Sequence, residues 1–263
     1  MKQLSFIMLI AILAISCKEK KSQNTEETHS EHQEKHWTYE GETGPEHWDE
    51  IEANSDCNGM HQSPINIIEI DAKIDAELQP LDIHYSDKVK IHEVTNNGHS
   101  IQYNFEEGDF INLNNEQYDL KQIHFHEGSE HTLDGVRYPL EIHLVHLNKD
   151  KEIAVLSILV KEGENSEPFT FLEQYLPVKA GETKEINEYF DINLNLPSNK
   201  SYFAYSGSLT TPPCTENVSW FVFKNPITVS LEQVKILQAL MPINNYRTEQ
   251  PINDRVISLY SAN

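Results

Sequence analysis

The most constraining feature of this chain is a central region that has the periodicity of β-strands. In residues 140–147, the apolar Ile142 and Leu144 fall on one face of a strand and His143 falls on the other. Residues 153–160 are nearly all apolar, which is typical of a strand buried on both faces. Weaker strand patterns cover residues 100–105, 117–126 and 219–229. Together these segments predict a sheet as the framework of the fold.

Helical signals are fewer. Ser230 and Gln233 have the spacing of a capping box before residues 231–240, and residues 169–176 form a second short candidate helix. Turn dipeptides separate the strands, and they are Asn97-Gly98, Glu107-Gly108 and Asp134-Gly135. With no internal repeat in the sequence, we predict one mainly β domain with short peripheral helices.

The N-terminal segment has the pattern of an export signal. Residues 4–15 are apolar except for Ser5, and this run is short for a membrane span but suits the core of a signal peptide. Ser16-Cys17, directly after the run, resembles a bacterial lipobox. We therefore expect residues 1–16 to be a lipoprotein signal peptide and Cys17 to carry the lipid. The alternative is an ordinary signal peptide that is cut elsewhere.

The segment that follows is polar and charged without periodicity. Residues 17–36 cannot bury apolar area, so they predict a lipidated, disordered tether. The folded domain is then expected over residues 37–263. This organisation predicts an exported protein that is lipid-anchored to the bacterial membrane and faces the periplasm or the cell surface.

The charge of the chain limits its partners. Its 42 acidic and 20 basic residues give a formal net charge of −22 at pH 7. Such a surface repels phosphates, so we exclude nucleic acid as a partner. The only membrane contact that we expect is the N-terminal lipid.

A group of histidines predicts a metal site. His124 and His126 lie two apart in a predicted strand, so both imidazoles project from one face. His143, on the next predicted strand, is the candidate third ligand. Gln122 and Glu141 each precede a histidine by two residues and can hydrogen-bond its other ring nitrogen, which fixes the tautomer.

The spacing alone leaves a second metal fold open. A cupin-like jelly roll is also built on a His-x-His pair and usually adds a nearby glutamate and a distant histidine, binding iron or manganese. Glu130 is near the spacing that this alternative needs.

Motifs along nearly the whole domain resemble those of the α-class carbonic anhydrases. The central ones are Gln122-Ile123-His124-Phe125-His126, Gly128-Ser129-Glu130-His131-Thr132 and Glu141-Ile142-His143-Leu144-Val145-His146. Others follow in the family's order: Trp37-Thr38-Tyr39, Gln62-Ser63-Pro64-Ile65-Asn66-Ile67, Asn96-Asn97-Gly98-His99, Gly207-Ser208-Leu209-Thr210-Thr211-Pro212-Pro213 and Asn245-Tyr246-Arg247. So many ordered motifs favour this family over the cupin alternative.

The resemblance implies a fold and a set of roles. The fold is a large, twisted, mostly antiparallel central sheet, with one Zn²⁺ held by His124, His126 and His143 at the bottom of a cleft. Glu130 and Thr210 would orient a hydroxide on the zinc, and His99 would shuttle protons to buffer. The residues implied to line the substrate and solvent path are Tyr39, Asn97, Gln102, Val145, Val155, Leu209, Thr211, Val218 and Trp220.

The implied activity is the reversible hydration of carbon dioxide to bicarbonate and a proton, by attack of that hydroxide. The chain would act as a monomer or a homodimer. The remaining alternative from another class is a surface-anchored binding module that keeps the fold but uses another face. The intact set of implied zinc ligands, with Glu130 and Thr210, favours the enzyme.

The cysteines fit an exported member of this family. There are three, and Cys17 would be the lipidated one, so Cys57 and Cys214 could pair. Bacterial and extracellular relatives often pair cysteines at these places, and export favours the bond. The resemblance thus implies a Cys57–Cys214 disulfide beside the Thr210 loop.

Overall fold

A long strand at Glu116–Glu127 and the three strands that pair with it form the centre of the fold. The computed structural model describes residues 36–52, 54–176 and 178–262. The predicted signal peptide, Cys17 and the predicted tether up to residue 35 lie outside the described residues. Among the described helices, none has the length and apolar character needed to cross a membrane.

The strands carry most of the regular structure. In chain order they are β1 (Asn66–Ile67), β2 (Lys73–Ile74), β3 (Asp82–His84), β4 (Val89–Asn96), β5 (Ile101–Phe105), β6 (Phe110–Leu113), β7 (Glu116–Glu127), β8 (Thr132–Leu133), β9 (Val136–Arg137), β10 (Leu140–Leu147), β11 (Ile153–Glu162), β12 (Thr183–Phe190), β13 (Tyr202–Ser208), β14 (Glu216–Phe223), β15 (Ile227–Val229) and β16 (Ser258–Tyr260).

The helices are short and peripheral. The α-helices are α1 (Trp48–Ile51), α2 (Glu167–Glu173) and α3 (Leu231–Gln238), and 3₁₀ turns occupy Gly41–Thr43, Pro45–His47, Glu69–Asp71 and Ile192–Asn195. The predicted capping box is confirmed, because the Ser230 side chain accepts from Gln233 N and the Gln233 side chain accepts from Ser230 N. The other predicted helix begins two residues earlier than expected, where Ser166 caps it and Pro168 fits its first turn.

The main sheet is large and mostly antiparallel, as predicted. Its principal path runs β12-β4-β5-β7-β10-β11-β14-β13-β16-β2. Within it, β11 pairs in parallel with both β14 and β15, and β16 pairs in parallel with β2. A small second sheet joins β1, β8 and β9.

The two faces of the sheet have different neighbours. On β11, Ala154, Leu156 and Ile158 pack into the larger apolar cluster, whereas Val155 and Leu159 pack into a smaller one. Side chains alternate along each strand, so the two clusters lie on opposite faces. On β7 and β10, the larger cluster takes Ile123, Phe125, Ile142 and Leu144, which leaves His124, His126 and His143 for the opposite face.

One predicted strand is wrong in extent. Residues 219–229 form two strands, β14 and β15, separated by Lys224–Pro226. Pro226 has no N–H to give to a ladder, and Lys224 N donates instead to Ser201 O at 2.9 Å. Both strands nevertheless pair with β11, so the chain bulges out and returns to the same neighbour.

Candidate metal centre and active site

Three imidazoles meet where β7 and β10 pair. His124 and His126 lie on one face of β7, and the antiparallel register places His143 of β10 directly opposite His124. Their ring centroids are 4.7 to 5.0 Å apart. One nitrogen from each ring falls within 4.8 Å of the other two, so a single ion can contact all three.

An oxygen acceptor faces the outer nitrogen of each ring. Gln122 Oε1 lies 2.9 Å from His124 Nδ1, Asn245 O lies 2.6 Å from His126 Nδ1, and Glu141 Oε1 lies 2.7 Å from His143 Nε2. A carbonyl or carboxylate oxygen can only accept, so each ring must donate its N–H outward. The inner nitrogens therefore turn their lone pairs toward one another.

This arrangement fits a metal ion. The inner nitrogens His143 Nδ1 and His124 Nε2 are 3.3 Å apart, and the buried His126 Nε2 has no hydrogen-bond partner among the described residues. Burial lowers the pKa of all three histidines, that of His126 to about 4. Three neutral rings with converging lone pairs can hold a cation between them.

Glu130 lies beside this centre, fully buried. Its Oε2 is 3.4 Å from His126 Nε2 and has no hydrogen-bond partner among the described residues, while its Oε1 accepts from Arg247 N at 3.0 Å. Burial raises the pKa of Glu130 to about 7, against the lowering effects of His143 and of the nearby Thr210 hydroxyl. The structure thus brings Glu130 and Thr210 together with the metal-site histidines.

The five predicted apolar residues come together in the smaller cluster. Val155, Val218 and Trp220 are buried in it, and Val145 and Leu209 pack against it. The Trp220 ring lies 4.9 Å from the ring of His143, in an edge-to-face arrangement. An apolar wall therefore adjoins the histidines on the same face of the sheet.

His99 lies on the turn between β4 and β5, partly exposed. Its ring stacks on Trp37 with the centroids 3.7 Å apart and an angle of 15° between the planes. Tyr39 approaches the same ring edge-on at 6.1 Å. Burial lowers the pKa of His99, and the neighbouring His36 lowers it further.

The other predicted polar residues make local contacts. Asn97 Oδ1 accepts from the backbone N–H groups of His99 and Ser100, so it caps the turn that carries His99. Gln102 pairs across the sheet with His124 and donates to Asn104 Oδ1 at 2.6 Å. Thr211 accepts from Cys214 N through its carbonyl and is half-buried.

The predicted disulfide is confirmed. Cys57 and Cys214 are bonded and buried, and 157 residues of sequence separate them. Asp56 N also donates to Pro213 O at 2.8 Å, next to the bond. The segment between β13 and β14 that carries Thr210 is thereby tied to the N-terminal part of the domain.

Comparison with known proteins assigns the chain to a family. A sequence model of eukaryotic-type carbonic anhydrases matches residues 43–261, which is most of the chain. The chain belongs to the α-class carbonic anhydrase family of enzymes. The cupin alternative is therefore wrong.

Individual carbonic anhydrases agree with this assignment. The enzyme of Klebsiella pneumoniae is 41% identical over 226 residues, covering 84% of this chain and 90% of the relative. The solved α-carbonic anhydrase of Thermovibrio ammonificans, in complex with the inhibitor sulfanilamide, is 38% identical with a TM-score of 0.81, over 85% of this chain and 98% of that one. The Photobacterium profundum enzyme is 40% identical with a TM-score of 0.78, over 85% and 100%.

Sequence reasoning assigned no role to His131, which is buried in this carbonic anhydrase fold. His131 Nδ1 lies 2.7 Å from Glu141 Oε1, and its backbone N–H donates to Glu141 Oε2. Its other ring nitrogen lies 2.6 Å from the hydroxyl of Tyr205, which contacts Ser63. Burial would raise the pKa of Glu141, but His131 and His143 hold it well below the usual value. An ionised Glu141 therefore accepts a hydrogen bond from the ring of each of these two histidines.

Arg247 and Asn245 were also assigned no role. Arg247 is buried and donates to Gln62 Oε1, Ser63 O and Cys57 O, while its backbone N–H donates to Glu130. Asn245 supplies the carbonyl that faces His126. The motif Asn245-Tyr246-Arg247 was the available signal, but it carries no local periodicity that points to the histidines.

Proposed function

We propose that the chain catalyses the zinc-dependent, reversible hydration of carbon dioxide to bicarbonate and a proton. The observation that carries the proposal is the convergence of three imidazole lone pairs beside an apolar wall and a buried carboxylate. Membership of the carbonic anhydrase family supports the same reaction.

The donor set supports zinc as the ion. Three neutral histidines with one open position form a catalytic zinc site, for which carbonic anhydrase is itself the standard example. Bound zinc lowers the pKa of a water to about 7, again with carbonic anhydrase as the standard example, so a strong nucleophile is available at neutral pH. His124, His126 and His143 would hold the ion, and Gln122, Asn245 and Glu141 would keep their rings oriented.

Glu130 and Thr210 would orient the attacking oxygen. Glu130 has one buried oxygen, Oε2, that lacks a donor among the described residues. If Thr210 donates its hydroxyl proton there, its own oxygen can only accept. The attacking oxygen must then turn its hydrogen toward Thr210 and a lone pair toward the substrate.

The apolar wall would hold carbon dioxide. The substrate is uncharged and weakly hydrated, so a surface such as that of Val145, Val155 and Trp220 favours it over water. The wall adjoins His143, so carbon dioxide bound there would lie close to the proposed metal ligands.

His99 would carry the product proton to solution. Its imidazole is partly exposed, and the ordinary pKa of a histidine lies close enough to neutrality for the ring to exchange protons between the site and buffer, although burial lowers it here. Trp37 fixes the ring by stacking, and Asn97 fixes the turn below it.

We infer that the enzyme works outside the cytoplasm as a lipoprotein. The apolar segment that ends at Cys17 supports this location, and so does the Cys57–Cys214 disulfide, because such bonds persist in oxidising compartments. Mass spectrometry of the mature N-terminus tests the inference: a diacylglyceryl group on Cys17 is expected, and an unmodified N-terminus at another residue contradicts it.

One assay tests the catalytic proposal. Purified chain supplied with zinc should bind one ion per chain and hydrate carbon dioxide rapidly in a stopped-flow measurement, with inhibition by sulfanilamide. The His124→Ala variant is expected to lose both the ion and the activity, whereas His84→Ala, on the edge strand β3, should keep both. Metal-loaded chain without hydration activity would refute the proposed function.

A further inference from the structure

A second histidine touches the proposed proton shuttle. The exposed His36 places its Nε2 3.1 Å from Nε2 of His99, although 63 residues separate them in the sequence. Their ring centroids are 5.2 Å apart. At this distance one ring nitrogen donates a hydrogen bond and the other accepts it, so a proton can lie between the two rings.

Trp37 holds this contact in place. The His99 ring stacks on Trp37, and the His36 ring lies 5.8 Å from the same indole. Trp37 itself packs edge-on against the buried Trp48, which anchors it to the domain. Trp37 and Trp48 therefore give the His36–His99 pair a fixed aromatic support.

The other groups around His99 are uncharged or lie on the same N-terminal segment. Tyr39 and Glu40 line the adjacent cavity from that segment, and Pro242 and Ile243 line it from the C-terminal part. Asn245 Nδ2 donates to the His99 carbonyl at 2.8 Å. Within the part of the chain that the structure describes, His36 is the imidazole that contacts the shuttle ring.

We propose that His36 is the outer member of a two-histidine proton relay, receiving the product proton from His99 and delivering it to buffer. The proposal rests on the proposed function. In the step, the N–H bond at His99 Nε2 breaks, an N–H bond forms at His36 Nε2, and a buffer base in solution then removes a proton from His36. No electrons are exchanged and no other reactant is needed.

The electrostatics favour outward transfer. Burial and the neighbouring His36 lower the pKa of His99, so a proton that reaches His99 is released more readily. Two imidazoles in contact hold one positive charge more easily than two, because like charges repel. The pair therefore passes on a first proton before it accepts a second.

Oxygen-18 exchange between carbon dioxide and water tests the relay on the full chain. The method separates the interconversion of carbon dioxide and bicarbonate from the proton transfer that limits release of labelled water. The variant is His36→Gln, because glutamine keeps a hydrogen-bonding side chain but neither gains nor loses a proton near neutral pH. His84→Ala is the control, since it removes a different exposed imidazole, which lies on the edge strand β3.

In weak buffer, His36→Gln is expected to lower the proton-transfer rate about threefold. This loss is smaller than the loss expected when a general acid or base is removed, because His99 remains and can pass protons directly to buffer. Interconversion should be unchanged, and added imidazole should restore the rate. The pH midpoint of proton transfer should rise, since His36 no longer lowers the pKa of His99. In a His99→Ala background, His36→Gln should have no further effect, because the two act in series.

The outcomes separate the two proposals. Equal proton-transfer rates and equal pH midpoints in His36→Gln and the unaltered chain would overturn the relay while leaving the catalytic function intact. A further fall of the rate in the His99→Ala background would also overturn it, because the two histidines would then act independently. Absence of interconversion in the unaltered chain would instead refute the proposed function itself.

Discussion

Glu141 and His143 project from the same face of β10, and Glu141 Oε1 lies 2.7 Å from His143 Nε2. The same carboxylate oxygen is 2.7 Å from His131 Nδ1, so one buried anion orients two histidines. The His143 ring, which faces the proposed metal site, is therefore oriented by the carboxylate of Glu141, two residues before it in the sequence.

Glu141→Gln should weaken metal binding. The amide keeps the shape of the side chain but removes the negative charge, so His143 becomes a poorer donor to the ion. We expect the affinity for zinc to fall about 10- to 100-fold, as measured by competition with a chelator. Glu162→Gln, at the exposed end of the adjacent β11, is the matched control. Equal affinities in the two variants would show that the carboxylate does not tune the site.

Thr210→Ala should impair catalysis without removing the metal. The proposed role of the hydroxyl is to orient the attacking oxygen, and loss of one such hydrogen bond costs about 10²-fold in rate. Stopped-flow hydration and metal analysis of the same preparation measure both effects. Thr210→Ser should recover most of the rate, because it keeps the hydroxyl. Loss of the ion in Thr210→Ala would mean that the residue is structural.

His99→Ala should lower turnover in weak buffer, with recovery when imidazole is added. The expected loss approaches 10²-fold if this ring carries most of the proton flux. Buffer titrations of the hydration rate provide the measurement. The same rate in both forms at every buffer concentration would exclude His99 from proton transfer.

The pH dependence of that step follows from the environment of His99. Burial first, and His36 second, lower its pKa from 6.5. The neutral ring, which accepts the proton during hydration, therefore persists to lower pH than it does in an exposed histidine. The proton-transfer rate for hydration should rise with pH through a midpoint below 6.5, measured by oxygen-18 exchange across pH. A midpoint at or above that value would contradict the burial argument.

Removing the disulfide should destabilise the domain. The bond joins residues that are 157 apart in the sequence. Closing this loop raises the free energy of the unfolded chain by at most about 5 kcal/mol, because it removes conformational entropy. We expect a double Cys57→Ser, Cys214→Ser variant to unfold at lower urea concentration. Reduction of the unaltered chain should produce the same shift, which controls for the side-chain change. An unchanged midpoint in both would show that the bond adds no stability.

Local patterns predicted the centre of the sheet well. The strand over Leu140–Leu147 has the predicted bounds, because alternation over eight residues depends on neighbouring side chains alone. His124 and His126 share a face for the same reason. That His143 lies opposite His124 depends on the register of β7 and β10, which the family resemblance implied and spacing alone left open.

Distant contacts were beyond local reasoning. The carbonyl of Asn245 faces His126 across 119 residues of sequence, and no periodicity links the two. The hydrogen bond between His131 and Glu141 depends on how β10 packs beside the loop that carries His131. The contact of His36 with His99 depends on how the N-terminal segment crosses the domain. The break at Pro226 was visible in the sequence, but the apolar run around it favoured one continuous strand.

The contribution of Asn245 and Arg247 has a consequence for biosynthesis. A nascent chain presents its N-terminal residues first. His124, His126 and His143 are therefore made about a hundred residues before the Asn245 carbonyl that faces His126 and the Arg247 backbone N–H that donates to Glu130. An interrupted polypeptide that stopped before Asn245 would possess every ligand and still lack the group that orients His126. Full orientation of the His126 ring therefore awaits synthesis of the C-terminal part of the chain, because the carbonyl that it faces belongs to Asn245.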